Sequence, residues 1–211
     1  MIDQLGLVQP GDRLLDIGCG TGVMVPGLLS RVGPNGSYVG FDVHRPAVSW
    51  CRRAYRAEPR CSFELARVAS PYSTQRGSPI EQYSFPLADG QADFVLAKSV
   101  FTHLTAREAS PFFREIHRTL RPGRAAVVTA FLFDKGSRVG TGSSRVFRWS
   151  DETGRMRWRS RLRPEAALAY ERTYFFDLLE ARGLRVQWFC PGFFPGNADR
   201  LIAQDVLILG H

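Results

Sequence analysis

No stretch of the 211 residues approaches the ~20 consecutive apolar positions of a membrane-spanning helix. The opening Met1-Ile2-Asp3-Gln4 has no basic region followed by an apolar run, and a soluble, cytoplasmic protein is expected. Cysteine is scarce: Cys19, Cys51, Cys61 and Cys190 form no CxxC pair, so spacing suggests neither a zinc site nor a disulfide framework, and reduced thiols are expected. Internal repeats and low-complexity tails are absent, which excludes a repeat array. Lysine is nearly missing. Lys98 and Lys135 stand among 28 basic residues, so arginine carries the formal net charge of +8. That bias reflects either genomic composition or an acidic partner, because guanidinium forks bind phosphate and carboxylate through paired donors.

What is present is a chain with 44% apolar content, enough for one substantial core, and a single domain over 1–211 is expected. Leu14, Leu15 and Ile17 read as a strand; Val23, Leu28, Leu29 and Val32 then recur at helical spacing, with Pro26 tolerable in the first turn. Gly33-Pro34-Asn35-Gly36 ends that helix, and residues 37–42 read as a second strand ending at Asp42. The alternation continues through a helix at 45–55, a strand at 61–68, a polar loop at 70–90, a strand at 92–97, a helix at 111–120 stopped by Arg121-Pro122-Gly123, and a strand at 125–132. An arginine-rich insertion at about 133–169 interrupts it. A helix at 170–182 and strands at 184–189 and 204–209 close the chain. Strands alternating with helices predict an α/β fold with a parallel sheet covered on both faces.

In Leu14-Leu15-Asp16-Ile17-Gly18-Cys19-Gly20-Thr21-Gly22 a strand carries a carboxylate into a loop whose glycines leave room for a ligand against the backbone. Open α/β sheets bind ligands at such strand ends. A dinucleotide fingerprint needs G-x-G-x-x-G, but Val23 occupies the third position and Gly22 makes the pattern G-x-G-x-G, so nicotinamide binding is demoted. Asp16 would repel a pyrophosphate, yet it suits a ligand with an ammonium and a sulfonium, which points to S-adenosylmethionine. Asp42, twenty residues after Gly22, can accept hydrogen bonds from both ribose hydroxyls, with Val43 beside it. Candidate cofactor-binding residues are therefore Asp16, Gly18, Cys19, Gly20, Gly22, Asp42 and Val43. The competing reading is that the two aspartates cap helices and the glycines serve a turn.

These residues resemble the class I S-adenosylmethionine-dependent methyltransferase family, in which Leu15-Asp16-Ile17-Gly18-Cys19-Gly20-Thr21-Gly22 matches the first motif and Tyr38-Val39-Gly40-Phe41-Asp42 ends in the ribose acid. Ala92 to Ala97 resembles the family's fourth strand, and Glu115-Ile116-His117-Arg118-Thr119-Leu120-Arg121-Pro122-Gly123 its E-x-x-R-x-L-x-P-G helix ending; together the likeness spans 12–131. It implies a Rossmann-like, doubly wound, mostly parallel sheet with an antiparallel last strand. A narrower similarity, to methyltransferases of bacterial polysaccharide and glycolipid pathways, rests on residues 98–104, 164–170 and Gln204-Asp205. After the third strand such enzymes carry an acidic residue near the adenine amino group, where this chain has Leu65-Ala66-Arg67-Val68. Adenine recognition then falls to backbone groups, or donor affinity is weak.

For the chemistry, an alcohol acceptor benefits from a base, and His103, just past the fourth strand, is the catalytic candidate, the alternative being a cap or packing residue. Lys98 and Ser99 end that strand, where a main-chain carbonyl can accept from the cofactor's ammonium group. Tyr72 is a substrate candidate in the polar loop, against packing on its own loop. His44 reads as an adenine-edge or helix-start residue and His117 as a surface one. Residues 155–163 alternate strictly, so as a strand Arg155, Arg157, Arg159, Arg161 and Arg163 would share one face and Met156, Trp158 and Leu162 the other. Arg157, Arg159 and Arg161 are thus candidates for an acidic or polar substrate, with Arg138, Arg145 and Arg148 nearby in sequence; the alternatives are a charged edge strand that prevents aggregation, or nucleic-acid contact. The expected activity is methyl transfer to an oxygen or nitrogen of a small-molecule or glycan-type acceptor. The rivals are an RNA methyltransferase and a non-catalytic S-adenosylmethionine-binding subunit.

Overall fold

The computed structural model describes residues 5–73, 77–136, 147–192 and 204–211. Arg138 and Arg145 lie outside the described residues. In chain order the elements are β1 (Arg13–Ile17), α1 (Val25–Val32), β2 (Ser37–Asp42), α2 (Arg45–Ala54), β3 (Cys61–Leu65), β4 (Ala92–Ala97), α3 (Ala106–Thr119), β5 (Leu120–Ala130), β6 (Leu132–Phe133), β7 (Trp149–Ser150), β8 (Met156–Trp158), β9 (Leu168–Glu171), α4 (Arg172–Glu180), β10 (Arg185–Cys190) and β11 (Asp205–Gly210). Seven strands follow the order β10-β11-β5-β4-β1-β2-β3, and a second sheet runs β6-β9-β8-β7. The parallel pairs β1·β2, β1·β4 and β2·β3 and the antiparallel pair β10·β11 match the α/β, mostly parallel expectation with its antiparallel last strand. No helix of the described residues is long and apolar enough to cross a membrane.

Contacts divide the chain into two compact units, Met1–Lys98 with Glu115–Ala126, and Ser99–Arg114 with Val127–His211. In the first, every residue of β4 is buried, as a strand covered on both faces requires. The buried residues of α1 are Val25, Leu28, Leu29 and Val32, one stripe at helical spacing. Val23 was expected on that stripe but is 77% exposed, because the helix begins after the turns that follow Gly22. The region 70–90 is less polar than its composition suggests: Ile80, Phe85 and Leu87 are buried, and the Phe85 ring lies 4.9 Å from that of Phe41. Its anchor is the E-x-x-R pair. Buried Glu115 accepts from Phe85 N at 2.9 Å and binds Arg118 at 2.6 Å, while Arg118 Nη1 donates to Leu87 O and Asp89 Oδ1, both at 2.9 Å.

In the second unit an aromatic cluster of Phe101, Phe113, Tyr170 and Phe175 is fully buried, with Phe101 and Phe113 stacked at 4.5 Å and Phe175 edge-on to both. Three expectations need correction here. Helix α3 starts at Ala106 rather than 111, because Glu108 reaches back to cap it: Glu108 Oε2 accepts from Thr105 N at 2.8 Å and from the Thr105 hydroxyl at 2.7 Å. Tyr170 belongs to strand β9, not to a helix, its hydroxyl donating to Leu104 O, and α4 begins only at Arg172.

The nine-residue arginine strand is reduced to β8, Met156–Trp158. Beyond Arg159, whose N–H still donates to Ala167 O at 3.0 Å, a turn forms with Arg163 N on Ser160 Oγ at 3.3 Å, and Pro164 opens a 3-10 turn. Leu162 is left 93% exposed, and Met156 and Arg157 are both buried, so the five arginines do not share a face.

Candidate functional site

Strands β1 and β2 run in parallel with Asp16 opposite Gly40, so Asp16 and the alternate residues Tyr38, Gly40 and Asp42 belong to one face of the pair. Past β1 the chain turns sharply. Gly18, Gly20 and Gly22 have φ of 70°, 54° and 73°, and the loop is tied to β2 by Gly18 N and Cys19 N, which donate to Phe41 O at 2.9 and 3.1 Å. Asp42 closes the other side: its Oδ2 accepts from Gly20 N and its Oδ1 from His44 N, each at 2.8 Å. His44 stands at the N-cap position of α2.

The glycines are not equivalent. A Cβ at Gly22 would meet Tyr55 Cε2 at 3.1 Å, Cys51 Sγ at 3.2 Å and Val25 Cγ2 at 3.3 Å, whereas at Gly20 it would meet nothing within 4 Å among the described residues. Gly22 is therefore needed by the protein's own packing, and Gly20 leaves open space above the loop. Gly22→Ala is expected to lose about 1–2 kcal/mol of stability from the left-handed backbone alone, read as a lower midpoint in urea. An unchanged midpoint would contradict the crowding described for this turn.

Asp16 is buried and receives the hydroxyl of buried Tyr38 on Oδ2. Burial pushes its pKa up to about 7; the Asp42 charge adds to this, and the Tyr38 hydrogen bond and the Lys98 charge oppose it. Cys19, within the loop, and Cys51, on α2, are both buried, and Cys51 Sγ donates to Gly20 O at 3.4 Å; burial raises both thiol pKa values, so they remain protonated packing groups.

Asp16, Gly18, Cys19, Gly20, Gly22 and Asp42 thus form one cluster, with Lys98 exposed at the end of β4 but within electrostatic reach of Asp16. Val43 follows β2 half-buried, and Tyr72 sits 38% exposed in a turn where its N–H donates to Ser70 Oγ at 3.2 Å. In place of the missing acid after β3, Ala66 N donates to Asp42 O at 2.9 Å and Ala69 N to Ser78 O at 2.9 Å.

Within the second unit, Ser99 has φ of 60°, a strained value for a residue with a Cβ. It is held there by its N–H on Thr129 Oγ1 at 2.8 Å and by Gln204, whose Nε2 donates to Ser99 Oγ at 3.0 Å and whose Oε1 receives the Thr129 hydroxyl at 2.6 Å. The Ser99 carbonyl already accepts the Thr102 hydroxyl at 3.1 Å. His103 Nδ1 lies 2.9 Å from Glu165 O; a carbonyl only accepts, so Nδ1 carries the hydrogen and the neutral ring holds its lone pair on Nε2. Arg157 is buried with its guanidinium 3.9 Å from the centre of the Phe133 ring, while Arg161 stacks at 5.5 Å on Trp149 and Arg159 is exposed. Tyr38 and Thr129 are not among the candidate site residues read from the sequence, and Gln204 entered there only as part of the Gln204-Asp205 similarity. For Tyr38 the signal was the alternation Tyr38-x-Gly40-x-Asp42; Thr129 left none, and the contact of Gln204 with Ser99 and Thr129 depends on strands distant in the chain.

Residues 15–128 match the methyltransferase domain family. The chain belongs to that family. Its implied cofactor is S-adenosylmethionine, and the loop fits such a group: Gly20 leaves space over the backbone, and the carboxylates of Asp16 and Asp42 offer the negative charge that a sulfonium, an ammonium and ribose hydroxyls require. Among curated relatives, the ribosomal RNA large subunit methyltransferase G of Magnetococcus marinus is 29% identical over 127 residues, 58% of this chain and 30% of the relative. The nocamycin O-methyltransferase of Saccharothrix syringae is 48% identical over 40 residues, 19% of this chain and 14% of the relative. The chain spans about a third of the length of the curated relatives it matches over its longest stretches. Among solved structures, a methyltransferase of Methanosarcina mazei aligns with a TM-score of 0.67 at 19% identity, covering 99% of this chain and 96% of that one, which is a likeness of fold.

Proposed function

We propose that this chain transfers a methyl group from S-adenosylmethionine to an oxygen or nitrogen of a small, polar or sugar-containing acceptor. The observation that carries the reading is the pairing of two aspartates, Asp16 and Asp42, on one face of β1 and β2 beside an open glycine loop. In this reading Gly18, Cys19, Gly20 and Gly22 line the donor's amino-acid part, Asp42 with Val43 takes the ribose, and Asp16 faces its positive charge. When bound, the donor supplies a methyl group already activated on a sulfonium, so much of the remaining work is positioning. His103 accepts the acceptor's proton at Nε2, its tautomer set by the Glu165 carbonyl. Lys98 and Ser99 contribute main-chain groups at the strand end. Tyr72 and the segment 133–169 serve the acceptor, and the likeness to an O-methyltransferase supports an oxygen acceptor. The experiment is transfer of labelled methyl from S-adenosylmethionine to a panel of acidic and neutral hydroxylated and amino metabolites; absence of turnover with intact donor binding would leave only a binding subunit.

Of the three arginines, Arg159 and Arg161 remain candidates for meeting an acidic acceptor, whereas Arg157 is buried over Phe133 and its loss would disturb β8. The double variant Arg159→Ala/Arg161→Ala is expected to raise the acceptor KM and flatten its salt dependence, with S-adenosylhomocysteine affinity unchanged. Wild-type KM and salt response would remove the substrate role. A second reading, action on RNA, is favoured by the net charge of +8 and the likeness to a ribosomal RNA methyltransferase. It predicts RNA binding that falls steeply with salt and RNA that outcompetes metabolites as acceptor.

A further inference from the structure

The geometry points to Tyr38 as a positioning residue for donor binding: its hydroxyl, reaching Asp16 over the bare backbone of Gly40, fixes that carboxyl and sets how readily it meets the donor's positive charge. This rests on the donor site proposed above. Tyr38, Gly40 and Asp42 alternate along one face of β2, and Asp16 stands opposite Gly40 on β1, so a long side chain at 38 must pass over position 40 to reach Asp16. Gly40 makes that path possible. A Cβ there would stand 2.9 Å from Tyr38 Cε1 and 3.0 Å from both Cβ and Sγ of Cys19, so any other residue would push the ring or the loop away. The Tyr38 ring is itself held, tilted at 5.7 Å from Phe63, and fully buried. The hydroxyl therefore has one defined acceptor, Asp16 Oδ2, and occupies one side of the carboxyl.

The consequence is a coupling between proton and donor. The groups acting on Asp16 are Tyr38 and Asp42 from β2, Lys98 after β4, and the protonated thiols of Cys19 in the loop and Cys51 on α2. Burial and Asp42 favour the neutral carboxyl, and Tyr38 and Lys98 favour the ionised one. The ammonium group of the donor, which S-adenosylhomocysteine shares, pairs with the ionised form, so affinity rises with pH up to about 7, the value to which Asp16 is raised, and levels off above it. Removing the Tyr38 hydroxyl takes away a stabiliser of the carboxylate and moves that midpoint upward.

The test follows Asp16 in two ways in wild type, Tyr38→Phe, Gly40→Ala and Asp16→Asn. The first is carbon-detected NMR titration of its carboxyl in the ligand-free protein; the second is calorimetric S-adenosylhomocysteine affinity across pH. Tyr38→Phe keeps the ring and is expected to raise the Asp16 midpoint by about one unit, with affinity about fivefold weaker at pH 7, approaching tenfold below about pH 6, and merging with wild type at high pH. Gly40→Ala, if folded, should move the midpoint the same way, and Asp16→Asn should flatten the dependence. An unmoved midpoint in the ligand-free titration, or an affinity loss that is equal at every pH, overturns the proposal, since a merely structural tyrosine would act so. Failure of wild type to bind, with the ligand-free shift intact, instead sinks the donor-site reading on which the coupling depends.

Discussion

His103→Ala should slow the methyl-transfer step by roughly 10²–10⁴-fold while leaving S-adenosylhomocysteine affinity close to wild type. The ring's Nδ1–H is committed to the Glu165 carbonyl, within a turn closed by Ala166 N on Arg163 O at 3.0 Å, so the proposed base is held by backbone rather than by a side chain. Substitution of Glu165 itself should consequently matter little, whereas His103→Asn, which keeps a donor near that carbonyl but has no basic nitrogen, should be about as slow as His103→Ala. Single-turnover rates with an alcohol acceptor check this. A rate near wild type in His103→Asn would reduce the histidine to a packing role.

Asp42→Ala should weaken S-adenosylhomocysteine binding by about one to two decades, the worth of charge-assisted hydrogen bonds of roughly 1.5–3 kcal/mol. Two effects combine. The ribose loses its acceptor, and Gly20 N and His44 N lose the oxygens that hold the loop against β2 at 2.8 Å. Asp42→Asn separates them, because one amide oxygen can keep one of the two backbone contacts while the charge is gone; its affinity should fall between the other two. Calorimetry that finds wild-type affinity in Asp42→Ala would remove this residue from the donor site.

The legible part of the fold was the part governed by local pattern. Leu14, Leu15 and Ile17 before three glycines, and the buried run of β4, are signals that buried parallel strands carry in their own composition. The start of α3 was also written locally, in Thr105 and Glu108, but Pro111 inside the helix masked it. The arginine segment misled because strict alternation is only permissive of a strand; Ser160 and Pro164 at its far end carry turn chemistry that ended it at Trp158. Burial of Arg157 over Phe133 and the Ser99–Thr129–Gln204 network depend on residues tens of positions apart, which no periodicity encodes. At the candidate site, the gathering of Asp16, the glycines and Asp42 was readable because their spacing along adjacent strands places them together. Tyr38 was marked only by its alternation with Gly40 and Asp42, and what its hydroxyl meets is revealed by the register with β1.

The site is defined most directly by where the donor sits, and a crystal structure of the S-adenosylhomocysteine complex measures that. The predicted result is the ribose hydroxyls within hydrogen-bond distance of the Asp42 carboxylate and the amino-acid portion over Gly18 to Gly22 on the side of Asp16. A ribose bound away from Asp42, or a ligand held clear of the glycine loop, would contradict it.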